Sequence, residues 1–365
     1  MEYVQERVTT LHDLTGSVPD APAARAAVVV PMTEREYAGL AAERVLSELE
    51  RVGPARVVVP LRASAERVGR FCDWLAEFDL RLEVLWCDGP RVAETLSAHG
   101  LDGPRGKGRD VWLALGRAAT EEFVVVHDAD TKTYDRSFAA RLLFPLARGY
   151  GFSKGYYARV EDGRLYGRLY RLFYVPLVRA LADAHAAPFL RYLDSFRYAL
   201  AGEFAATSAV ARRIRAPRSW GLEVGTLGDA FDAAGFDGSA QVDLGAYEHD
   251  HRAVGGPTGL SDMSRAVGET LLRSVVERGV APDFASLPAR YREAARRLID
   301  QYAADAAFNG LAFDRAGERE QVEAYADAVR EPGPTDDRLP AWAETTLDPE
   351  AVAASARADV EEVSR

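Results

Sequence analysis

The chain has 365 residues, enough for one large domain or two ordinary ones, and 48% of them are hydrophobic, as in a folded globular protein. Its net charge of −11 argues against a general nucleic-acid binder and against a polybasic membrane anchor. No stretch approaches the roughly 20 apolar residues of a transmembrane helix. The start, "MEYVQERVTTLHDL", lacks the apolar core of a signal peptide, and two cysteines, Cys72 and Cys87, are too few for a disulfide scaffold. A cytoplasmic protein with no integral membrane segment and no nucleic-acid partner is expected. Only three of the 45 basic residues are lysines, Lys107, Lys132 and Lys154. With abundant alanine and surplus carboxylate, that usage suggests a GC-rich genome and a salt-adapted (halophilic) cell.

Residues 1–25 read as a polar N-terminal arm. "AAVVVP" (26–31) predicts a buried strand and 34–52 an amphipathic helix; "ARVVVPL" (55–61) and 64–79 repeat that pair. "RLEVLWC" (81–87) is a third strand, "VWLALGRAA" (111–119) lies on a helix, and "FVVVHDAD" (123–130) closes a fourth β unit. Strands alternating with helices predict βαβ units and a mostly parallel sheet, whose ligands gather beyond the carboxyl ends of the strands. Further on, "YGFSKGYYARV" reads as a strand, "GRLYGRLYRLFYVPLVRAL" as an aromatic turn and helix, "WGLEVGTLGDAF" as a loop entering a helix and "SAQVDLGAYEH" (239–249) as a late strand. From Ser261 the chain reads as three or four helices, with Ser261, Ser286 and Asp348 as candidate N-caps.

The chemistry concentrates where "FVVVHDADTKTYDRS" leaves its strand. Asp128 and Asp130 flank Ala129 at a strand end, where a divalent cation could pair with them; taken alone, the triplet reads more readily as a solvated turn. "RGKGRDVW" (105–112) puts Lys107 between two glycines before a helix, which suits an anion. A chain that otherwise uses arginine keeps lysine at 107 and 154, where a compact ammonium fits and a planar guanidinium does not.

The order strand, helix, Gly-Lys-Gly, helix, strand, Asp-x-Asp resembles a GT-A nucleotide-sugar glycosyltransferase. "SKGYY" (153–157), "GRLYRLFYVPL" (167–177), "LAGEFAA" (200–206), "WGLEVGTLGDAF" (220–231) and "QVDLGAYEHDHR" (241–252) follow in sequence. Together they resemble the motifs of the glucosyl-3-phosphoglycerate synthases, a retaining family that includes mannosyl-3-phosphoglycerate-forming members. The match spans roughly residues 26–270. It implies an α/β fold of GT-A type, a Rossmann-like, mostly parallel mixed sheet flanked by helices. Residues 26–256 would form the glycosyltransferase domain, 26–130 its donor half and 131–256 its acceptor half, and 257–365 a helical C-terminal extension.

The resemblance also implies roles. Asp130, His249 and Asp128 would hold Mg²⁺ or Mn²⁺, with His251 a rival to His249. The donor, a nucleoside-diphosphate sugar, would meet Pro31, Glu34, Glu36, Lys107, Asp128, Ala129, Asp130 and Glu203. Gly167, Arg168, Tyr170 and Lys154 would take a small phosphorylated acceptor of the 3-phosphoglycerate type. Glu223, Asp130 and Lys107 would carry catalysis, with Lys107 and the metal offsetting charge on the departing diphosphate. No side-chain nucleophile stands out, so a front-face transfer is the natural mechanism. Such families commonly form homodimers, and the C-terminal helices offer a contact.

Three positions depart from the family pattern. "PMTEREY" places Arg35 where an acid is expected, leaving Glu34 and Glu36 as substitutes. "VVVPLRASAE" has Pro60 and Leu61 in place of a polar donor loop, with Ser64 as a polar remnant, which opens the choice of nucleobase. Tyr170 replaces a small hydroxyl residue, which opens the choice of acceptor. Glucose or mannose, uridine or guanosine, a lipid-phosphate or glycan acceptor, and a non-catalytic nucleotide-sugar binder all stay open at this point.

Overall fold

The computed structural model describes residues 7–250 and 257–364, with the side chains of 257–261 left aside. In chain order, Thr9–Leu11 forms β1, Ala26–Val29 β2, Met32–Thr33 β3, Leu40–Val52 α1, Arg56–Arg62 β4 and Ala65–Leu75 α2. Next come Leu82–Trp86 (β5), Pro90–Ala98 (α3), Lys107–Ala118 (α4), Phe123–Val126 (β6), Ser137–Ala147 (α5) and Phe152–Ala158 (β7). A small hairpin, Val160–Glu161 (β8) and Arg164–Leu165 (β9), precedes a π-helical turn over Leu169–Tyr174 that runs into Val175–Ala182 (α6). Pro188–Leu193 (α7), Phe204–Thr207 (β10), Ser208–Ala211 (α8), Leu222–Ala234 (α9) and Ser239–Ala246 (β11) follow. The described chain closes with Pro257–Glu277 (α10), Leu287–Phe308 (α11), Arg315–Ala326 (α12) and Pro349–Val363 (α13).

The main sheet has nine strands in the order β1-β11-β7-β10-β6-β2-β4-β3, with β5 also paired to β4. Every pairing is parallel except those of β10, which runs antiparallel between β6 and β7. The mostly parallel mixed sheet flanked by helices is therefore present as expected. Its central strands are rich in valine because both faces are covered. Val28, Val57, Val59 and Val125 point into one core with α1, α2 and α5, while Ala27, Val29, Val58, Val124 and Val126 point into the other.

One expectation is corrected: the N-terminal arm is not wholly peripheral, since Thr9–Leu11 pairs in parallel with Ala240–Val242 as an edge strand. The C-terminal helices pack into the body of the protein, where Leu271, Tyr291, Tyr325 and Val352 share the second core with Val29 and Val58. Trp342 stacks on Trp112 of α4 at 4.3 Å, which fastens that segment to the donor half. Of the expected N-caps, Asp348 caps α13 by accepting from the Glu350 N–H. Ser286 flanks α11 with no side-chain cap bond, and Ser261 lies inside α10 rather than at its start.

Candidate active site

The carboxyl ends of β2, β4 and β6 open into a cavity of about 830 Å³. Asp128, Ala129 and Asp130 lie on its wall. Two backbone bonds zip this turn to the end of the late strand: the Asp250 N–H donates to the Asp130 carbonyl at 2.7 Å, and the Lys132 N–H to the Glu248 carbonyl at 2.8 Å. That pairing brings His249 Nδ1 to 3.3 Å from Asp130 Oδ1. Burial pushes the Asp130 carboxyl up, but the His249 bond and charge, together with Lys107, outweigh it and hold it below the ordinary carboxylate value. His251 lies outside the described residues.

Asp128 takes a different partner. Its Oδ1 accepts from Lys107 Nζ at 2.6 Å, and Lys107 also stands 3.6 Å from Glu223 Oε1. A side chain at Gly202 would meet Asp128 Oδ2 at 2.6 Å, so that glycine makes room for the carboxylate. Burial opposes the charge on Lys107, but Asp128 and Glu223 prevail and hold its pKa above the ordinary value. The glycines around Lys107 do not leave an open anion cradle. The N–H groups of Gly108 and Arg109 donate to the Ser219 and Arg218 carbonyls, and a Cβ on Gly108 would sit 1.8 Å from the Pro217 carbonyl oxygen. Their work is close packing against 217–219, and the ammonium alone faces the cavity.

Glu223 lies in the first turn of α9 and on the cavity wall. Gly221 before it has φ +99, and a side chain there would strike Thr270 Oγ1 at 2.5 Å. Glu203 is not on that wall, contrary to the expectation of a sugar contact. It is 1% exposed and accepts from the Tyr157 and Tyr247 hydroxyls, as a buried carboxylate must. Burial and the nearby Asp128 charge push its pKa up.

On the acceptor side, Gly167, Arg168 and Tyr170 all line the cavity. Gly167 has φ +82, which suits glycine. Arg168 Nε donates to Glu318 Oε1 of α12 at 3.1 Å, and the same carboxylate takes the buried Arg171 at 2.9 Å. Tyr170 turns its hydroxyl to the Phe196 carbonyl at 2.9 Å, so its ring faces the cavity as surface. Lys154 is a correction. It is 1% exposed, is absent from the cavity wall, and donates to the Ala201 carbonyl at 2.6 Å. Burial drives its pKa down to about 8.

On the donor side, Pro31 and Ala129 line the cavity as expected. Glu36 lines it too, but its carboxylate accepts from the Thr33 N–H and hydroxyl in a capping box. Glu34 is off the wall, held by Ser64 at 3.4 Å and Arg67 at 3.6 Å. The sequence reading did not single out Arg62, Asp110, Arg159, Tyr198, Trp220 or Met263, all of which line the cavity. Arg62 and Asp110 are 48 residues apart, and only the β4–α4 packing makes them neighbours.

Asp130 and His249 fit a divalent cation: a carboxylate and an imidazole, 3.3 Å apart and both on the cavity wall. Asp128, expected as a third ligand, gives one carboxylate oxygen, Oδ1, to Lys107. Among the described residues no group of three or more His, Cys, Asp or Glu forms a metal cluster. Among the described residues no helix is long and apolar enough to cross a membrane.

No protein-family model matches the chain. It is 34% identical to the glucosyl-3-phosphoglycerate synthase of Methanococcoides burtonii, over 94% of this chain and 93% of that protein. Against the glucosyl-3-phosphoglycerate synthase of Persephonella marina it is 37% identical, over 83% of this chain and 80% of that one. Among solved structures, the glucosyl-3-phosphoglycerate synthase of Mycobacterium tuberculosis in complex with Mn²⁺, UDP-glucose and phosphoglyceric acid superimposes with a TM-score of 0.56 at 25% identity. That alignment covers 76% of this chain and 89% of the other. With similarity of this extent along nearly its whole length, the chain belongs to the glucosyl-3-phosphoglycerate synthase family.

Proposed function

We propose that this chain is a metal-dependent retaining glycosyltransferase that moves glucose from a nucleoside-diphosphate glucose to a small phosphorylated acceptor of the 3-phosphoglycerate type. The observation that carries this reading is the Asp130–His249 pair beside the Lys107 ammonium on one cavity wall. The relatives' names and the solved complex with Mn²⁺, UDP-glucose and phosphoglyceric acid support the substrate classes. Mg²⁺ or Mn²⁺, when bound by Asp130 and His249, offsets the charge of the leaving diphosphate.

The protein's own groups do the rest. Lys107, fixed by Asp128, places a second positive charge where the diphosphate gains negative charge, at no cost in reorganisation. Arg168, braced by Glu318, presents its remaining N–H donors to the acceptor's phosphate. Glu223, close to Lys107, is placed to orient the attacking hydroxyl, and the departing phosphate oxygen on the same face takes its proton. No side-chain nucleophile is required for that front-face course.

A nucleotide-sugar donor supports a cytoplasmic setting, and the carboxylate-rich composition supports a compatible-solute product in a salt-adapted cell. Homodimerisation belongs to the same reading, with Phe308 standing 90% exposed at the end of α11 as a contact. Titration calorimetry tests the core of it. Mn²⁺ should tighten UDP or GDP binding to the wild type, and both Asp130→Ala and His249→Ala should remove that metal-dependent gain. A gain that survives both substitutions refutes the assignment.

A further inference from the structure

The donor's base is the one part of the two substrates for which the family pattern leaves no reader here, because Pro60 has no N–H and Leu61 has no polar side chain. The one cavity is lined by Gly167, Arg168 and Tyr170 on the acceptor side and also by Pro31 and Pro60, at the ends of β2 and β4. The carboxyl ends of those strands are the nucleotide side of a doubly wound sheet. Pro31, Ala41, Ala42 and Pro60 offer apolar surface to a planar base, and Arg62 and Asp110 line the same cavity.

That pair is built to be directional. Asp110 follows Lys107 by three residues on α4, one turn along the same face, so the pair continues the line that starts at the diphosphate. The Asp110 side chain is 4% exposed and accepts from Arg62 Nε at 3.0 Å, which fixes the guanidinium plane. Both Nη groups of Arg62 have no hydrogen-bond partner among the described residues, and its side chain is 36% exposed on the cavity wall. With its Nε held by Asp110, Arg62 keeps its Nη groups as N–H donors in a fixed plane.

We propose that Arg62, positioned by Asp110, reads the exocyclic group on the hydrogen-bonding edge of the donor's base and selects keto bases over amino bases. Guanine O6 and uracil O4 are carbonyl oxygens, which accept from Arg62. The matching adenine N6 and cytosine N4 are amino groups, whose N–H donors oppose those of Arg62. The inference rests on the donor reading already given and deepens it by naming the residue that reads the base.

Inosine and adenosine diphosphates differ at this edge, carbonyl and ring N–H against amino group and bare nitrogen, so they isolate the interaction. With the full chain and Mn²⁺, calorimetry should show IDP binding at least about fivefold more tightly than ADP. GDP and UDP should each exceed their amino counterparts in the same sense, and their relative affinity identifies which keto base is preferred. In Arg62→Met, which keeps the side chain's length, the IDP preference should fall below about twofold while ADP still binds through its diphosphate. Equal binding of IDP and ADP by the wild type overturns this inference alone. So does an IDP preference that survives Arg62→Met. Failure to bind any nucleotide overturns the donor reading, and this inference with it.

Discussion

Replacing Lys107 with methionine removes the one cation that joins Asp128, Glu223 and the diphosphate position. In the wild type its ammonium lies 2.6 Å from Asp128 and 3.6 Å from Glu223. Two unit charges at such distances attract by about 4 kcal/mol at an effective dielectric constant near 20, and desolvation of the ammonium offsets part of that. Breaking a fully buried pair from one side costs about 3–5 kcal/mol, and the 26% and 20% exposure of Lys107 and Asp128 reduces the expectation to about 2–3 kcal/mol. The folded-state pKa of Lys107 is raised above its ordinary value. Its contribution is therefore complete below about pH 10.5 and lost only as pH climbs through the folded-state value, so the deficit should be the same at about pH 6 and about pH 9. Loss of a preorganised charge at the leaving group should also lower kcat by about 10²–10³-fold. Urea unfolding at both pH values, with steady-state rates at saturating donor, measures all three. A variant within about 1 kcal/mol of the wild type, with kcat within about fivefold, refutes the role given to this lysine.

Glu318→Ala should destabilise the fold by about 3–5 kcal/mol, because it leaves the buried Arg171 guanidinium without its carboxylate. It also frees Arg168, so the acceptor's KM should rise more than the donor's in whatever fraction stays folded; equal effects on both substrates would separate Arg168 from the acceptor. Lys154→Met should leave the acceptor's KM within about twofold, since that side chain is off the cavity wall. Its folded pKa is depressed to about 8, so the unfolded chain holds more protons above that value. Wild-type stability relative to Lys154→Met should accordingly rise between about pH 8 and about pH 10.5, by at most about 1.4 kcal/mol per pH unit. A flat difference across that window contradicts the buried position.

The strands were legible because a fully covered parallel sheet demands runs such as "VVVP" and "FVVV", and turn residues bracket each run. Thr9–Leu11 escaped notice because so short a segment becomes a strand only by pairing with Ala240–Val242, some 230 positions away. Asp130, His249, Lys107 and Glu223 were legible through ordered motifs, and the fold brings them together on one wall. Local sequence could not separate Glu223 from Glu203. Both sit among apolar neighbours, yet one opens on the cavity and the other is enclosed by Tyr157 and Tyr247. Lys154 misled for the same reason, since its strand is buried on both faces and encloses the side chain whichever way it points. The two aspartates of "HDAD" also look equivalent in sequence, and only tertiary contacts assign Asp128 to Lys107 and Asp130 to His249.

The most direct test incubates the purified chain with 3-phosphoglycerate and a panel of nucleoside-diphosphate glucoses and mannoses. Mg²⁺ or Mn²⁺ is supplied, with and without EDTA, and mass spectrometry reads the products. A glucosyl-3-phosphoglycerate peak from a glucose donor that disappears with EDTA is the predicted result. Donor hydrolysis without that product, or a product that persists in EDTA, would contradict it.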